Sequence, residues 1–124
     1  MSLIVFFAVL ILVATVRSLV KIREQQRQRA VIDEVQRRFQ VLKTCVSDAK
    51  LSRIQEAELC FNSDSTHTFD KKVIHLCVRE GSVNAIMHTL LHELAHVCTK
   101  TWGHDEAFVN TFDLWLSTAV QCGV

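Results

Sequence analysis

The sequence predicts a small α+β domain tethered to a membrane by an N-terminal helix. Three observations carry that expectation. Ser2 to Val16, SLIVFFAVLILVATV, is apolar and free of charge; ELCFN and VIHLCV are short β-prone runs separated by the polar SDSTHTFDKK; and 83–99 and 104–121 carry apolar residues at helical spacing. A chain of 124 residues has room for one small core beside the anchor.

Residues 2 to 20, with Arg17 snorkelling, make a helix of about 28 Å at 1.5 Å per residue, close to the roughly 30 Å hydrocarbon core. A cleaved signal peptide would place Lys or Arg before the apolar run and a small-x-small site after it, whereas here the charges follow: Arg17, Lys21, Arg23, Arg27 and Arg29. An uncleaved transmembrane anchor over 1–20 is therefore expected in preference to a signal peptide or a buried core helix. Its basic flank puts the C-terminal domain on the inner, cytosolic side.

Beyond the anchor, residues 21–45 lack Gly and Pro, and Val31, Val35, Phe39, Leu42 and Val46 recur at three- or four-residue steps. That pattern predicts a juxtamembrane amphipathic helix whose stripe packs on the domain that follows, 46–124. ELCFN and VIHLCV are expected to pair as antiparallel strands. Gly81-Ser82 breaks the chain, with Ser82 or Asn84 an N-cap for the next helix, and Trp102-Gly103 ends that helix. Phe108, Phe112, Leu116 and Val120, with Trp115 and Ala119 alongside, mark a final helix.

Composition excludes some functions. The formal net charge is +1, so no basic field points to nucleic acid. Cys45, Cys60, Cys77, Cys98 and Cys122 are an odd set without C-x-x-C spacing, which reads as reduced thiols rather than a disulfide framework or a zinc knuckle.

The chemistry is concentrated in HTLLHELAHVCTKTWGHDEAF, residues 88 to 108, where His92-Glu93-Leu94-Ala95-His96 matches H-E-x-x-H. Four helical residues advance about 400°, so His92 and His96 lie about 40° apart on one face and converge on one ion. Glu93 is turned about 100° from His92, which leaves its carboxylate beside the ion, free to handle a water. His88 is about 12 Å from His96 along the axis, too far to share that ion. His104, after Gly103 lets the chain reverse, is the expected third ligand, with Asp113 or Glu106 as alternatives. Three ligands and one open position is the catalytic arrangement for Zn2+, whereas structural zinc is closed by four ligands rich in cysteine.

HELAH followed by GHDEAF resembles the WLM, SprT-like and YgjP-like zinc metallopeptidases, at His92, Glu93, His96, His104 and Phe108 and over about residues 56 to 120. KKVIHLCV leading into LLHELAH is similar to small metallopeptidase-like proteins of large DNA viruses, some of them membrane-anchored. The resemblance implies a zincin-like fold, one zinc ion on His92, His96 and His104, and Glu93 as general base. It also implies a protein or peptide substrate held along an edge strand, here Val73, Ile74, His75 and Leu76. The chain has no tyrosine to meet the developing oxyanion; His75, His88 or Lys100 would serve, or the ion alone. The DNA-directed role of WLM and SprT proteins uses tails that this sequence does not show. A second reading, from another class, is a non-catalytic membrane, virion or assembly component, with membrane or virion protein partners, whose fold zinc stabilises.

Overall fold

A computed structural model of the chain describes residues 2–79 and 81–124. Two compact units divide between Ala30 and Val31. In the first, the helix that begins at Leu3 exposes its apolar side chains on all sides; an 18-residue window has a mean hydropathy of 2.7 and no buried residue. This helix is long and apolar enough to cross a membrane. Thr15 donates its hydroxyl to the Ile11 carbonyl at 2.8 Å, so the side chain needs no water.

Helix α1 spans Leu3–Cys45, and its last turns belong to the second unit. Val31, Val35, Phe39 and Leu42 are buried there, with Val46 packed against them, as their spacing predicts. The compact unit thus begins inside the segment 21–45, because that stripe is part of its core. A 3-10 helix, Ala49–Glu56, capped by Asp48, adds Leu51 and Ile54 to the same core.

Three strands follow: β1 Glu58–Asn62, β2 His67–Phe69 and β3 Val73–Cys77, in the order β1-β3-β2. The expected antiparallel pairing of ELCFN with VIHLCV is corrected: β1 and β3 run parallel, and β2 is antiparallel to β3. The reason lies in the polar linker, which reverses the chain twice. Asn62 Oδ1 accepts from the Asp64 and Ser65 amides at the first reversal. At the second, Asp70 and Lys71 both take positive φ, 52° and 53°, and Lys72 N donates to Phe69 O at 3.1 Å. Two reversals return β3 to the direction of β1.

Helix α2, Val83–Cys98, starts on Ser82, whose Oγ accepts from Ala85 N. A Cβ on Gly81 would meet Ile86 Cγ1 at 2.7 Å, so the close approach there requires glycine. α2 is the spine of the unit, packed on β3, β2, the 3-10 helix and α3, Glu106–Gln121. It buries Leu90, Leu94, Ala95 and Val97 against Ile74 and Leu76 of the sheet and Trp115 and Ala119 of α3.

The expectation of five reduced cysteines is also corrected. Cys45 and Cys122 form a disulfide with Cα atoms 6.0 Å apart, and Cys60, Cys77 and Cys98 are free thiols. Spacing could not show this, since the bond joins the ends of α1 and α3 across 77 positions.

Candidate metal centre and active site

α2 presents His92 and His96 one turn apart, and the loop after it brings back His104. One ligand atom from each lies within 4.8 Å of the others. The ring centroids are 5.0 Å apart for His92 and His96, 5.2 Å for His92 and His104, and 5.0 Å for His96 and His104. His96 is buried, His92 half-buried and His104 exposed, so the cluster is rooted in the core and open on one side. Asp113 and Glu106, the alternative third ligands, are exposed and outside the group.

Phe108 makes the floor. Its ring lies 4.4 Å from His96 at 33°, and it meets His92 and His104 edge-on at 5.1 and 4.7 Å. Asp105 caps α3 by accepting from Phe108 N at 2.9 Å and Thr101 Oγ1 at 2.7 Å. The Phe108 amide holds the Asp105 carboxyl below its ordinary pKa.

The loop's return does not depend on Gly103, contrary to the expectation. Gly103 is outside the positive-φ region, and a Cβ there would meet nothing within 4 Å. Lys71 does the holding. From its left-handed conformation, uncommon for lysine, its Nζ donates to His96 O at 2.8 Å and Thr101 O at 2.6 Å and lies 4.3 Å over the Trp102 ring. The ammonium bonds a carbonyl at the C-terminal end of α2 and ties it to the loop carrying His104. Burial lowers the pKa of this lysine. Lys71→Ala, which unties the end of α2 from the loop carrying His104, is expected to weaken metal binding about 10-fold, the cost of about one charge-assisted hydrogen bond. Competition with a chromophoric chelator measures it.

Glu93 is 7% exposed and adjoins the cluster. Its Oε1 lies 3.3 Å from His92 Nδ1, and its Oε2 accepts a hydrogen bond from Thr68 Oγ1 on β2. Thr68 and Lys71 had no signal in the sequence beyond sitting in the polar linker; only the hairpin brings them to α2.

The other expected residues fall elsewhere. His75 is on the face of the sheet opposite Ile74 and Leu76, its ring stacked on His67 at 4.5 Å, so alternation along β3 turns it away from Glu93. Val73, Ile74, His75 and Leu76 lie in the central strand, not at an edge: the first three pair with both β1 and β2 and Leu76 pairs with β1, so the edge beside the histidines is β2. His88 is exposed, edge-on to Phe112 at 5.4 Å, and Phe112 in turn meets His92 at 5.7 Å. His88 therefore borders the site without joining its ligands. Cys98 is half-buried, its thiol pKa raised by burial, and it is not among the grouped ligand atoms.

The donor set fits a divalent transition metal. Three imidazoles with no thiol suit zinc. His96 Nδ1 is buried with no hydrogen-bond partner, as in a ring whose place is set by a ligand. Burial, the largest influence, holds the His96 pKa below 6.5, so the ring is neutral and ready to coordinate at pH 7. The unfolded chain then binds a proton near pH 6.5 that the folded chain does not. Metal-free stability should fall as pH drops through 6.5 and level off below the folded pKa. Urea midpoints at pH 7.5 and 5.5 measure this.

No protein-family model and no solved structure matches the chain. An uncharacterized protein, 042R, of Invertebrate iridescent virus 3 is 36% identical over 64 residues, covering 47% of this chain and 40% of that protein. The chain thus has a viral relative, and the match spans well under two thirds of that relative's length.

Proposed function

We propose that the protein is a membrane-anchored, zinc-dependent endopeptidase. The observation that carries this reading is the convergence of His92, His96 and His104 with a buried carboxylate, Glu93, beside them. The likeness of HELAH and GHDEAF to WLM, SprT-like and YgjP-like peptidases supports it. A zinc ion held by the three histidines would polarise a scissile carbonyl and acidify water. Glu93 would take the water proton and pass it to the leaving amine. The open edge of β2 would pair with an extended peptide, and Phe108 and Lys71 would keep the histidines in place.

The non-catalytic reading predicts a closed set of four ligands. Among the described residues three histidines group, and a buried carboxylate lies beside them, which favours the peptidase reading over a closed structural site.

The basic flank of the helix supports a cytosolic or virion-interior side for the domain. Of these, the interior of a particle, cut off from cytosolic glutathione, is where Cys45–Cys122 would persist. The test is the full chain in detergent, incubated with an unfolded protein. Cleavage that stops with 1,10-phenanthroline and returns with zinc is expected; a zinc-loaded chain that cleaves no unfolded substrate defeats the reading.

A further inference from the structure

We propose that Thr68 is the positioning residue for Glu93 and that Oε1 is the oxygen that takes the proton; this rests on the peptidase reading above. The two carboxylate oxygens have different surroundings. Oε2 is occupied by the Thr68 hydroxyl, donated from β2 across to α2, between residues 25 positions apart. Oε1 lies on the histidine side, 3.3 Å from His92 Nδ1. A carboxylate on a glutamate arm can swing about three torsions, and any swing carries its basic oxygen away from the histidines. A charge-assisted O–H···O bond from a side chain that is itself stiff at χ1 removes that freedom.

Thr68 is placed for this by the pleat. It pairs with Ile74, and both turn to the face against α2, whereas His67 and His75 stack on the other face. The same three-residue strand also offers the open edge. A peptide that pairs with β2 is therefore registered against the element that holds the base, so strand docking and base alignment share one support.

The test compares Thr68→Val, which deletes the hydroxyl at nearly constant shape, with Thr68→Ser, which keeps it, in the zinc-loaded full chain. The expected result is a kcat lowered about 10- to 100-fold in Thr68→Val, with KM and zinc content unchanged, and a rate within about threefold of the original in Thr68→Ser. In the metal-free chain, the 13C carboxyl resonance of Glu93 should move in the valine variant and hold in the serine variant. An active original chain with an unaffected Thr68→Val, equal losses in both variants, or an unmoved resonance overturns the positioning role alone. An inactive original chain overturns the peptidase reading and this role with it.

Discussion

Glu93→Gln is expected to cut peptide hydrolysis about 100- to 10,000-fold while the chain keeps its zinc. Glutamine has the shape of glutamate, which matters at a position 7% exposed and packed beside β2. Its amide oxygen can still accept from Thr68, so the local fold is preserved. What it lacks is basicity. Glu93 is not among the three grouped ligands, so zinc content should match the original, measured by atomic absorption on the same samples assayed for cleavage. Loss of zinc in this variant would make Glu93 a ligand or a structural support, and an unchanged rate would remove it from the chemistry.

Replacing Cys45 and Cys122 together by serine should destabilise the domain by up to about 4.5 kcal/mol, from the loop-closure entropy of a bond spanning 77 positions. The bond fastens the end of α3 to the end of α1, and the start of α3 carries Phe108, on which all three histidines lean. Loosening α3 therefore reaches the metal site. Denaturant midpoints with and without reductant should shift in the original chain and coincide in the double variant. Alkylation before reduction should label three thiols, and after reduction five. Five labelled thiols in the untreated chain would show that the bond does not form.

What the sequence made legible follows the range of each interaction. The apolar run, the stripe Val31, Val35, Phe39 and Leu42, and the pair His92 and His96 are set by helical periodicity, a local rule, and all lie where that rule puts them. His104 was legible by motif, although its return is held by Lys71 and Asp105 rather than by Gly103. Strand direction was not legible, because it turned on whether SDSTHTFDKK reverses once or twice. The positions of His75 and of Val73–Leu76 in the sheet were hidden for the same reason: pairing partners decide which strand is the edge and which face a side chain takes. Thr68 and Cys45–Cys122 are contacts across 25 and 77 positions, which no local pattern encodes.

The central claim is that three imidazoles, and no sulfur, hold one ion that keeps a place open. X-ray absorption at the zinc edge of the loaded full chain tests it most directly. The account predicts one zinc per chain with three imidazole nitrogens at about 2.0 Å and one light oxygen scatterer, the imidazole count falling in His104→Ala. A sulfur shell at about 2.3 Å, or an unchanged spectrum in His104→Ala, would contradict it.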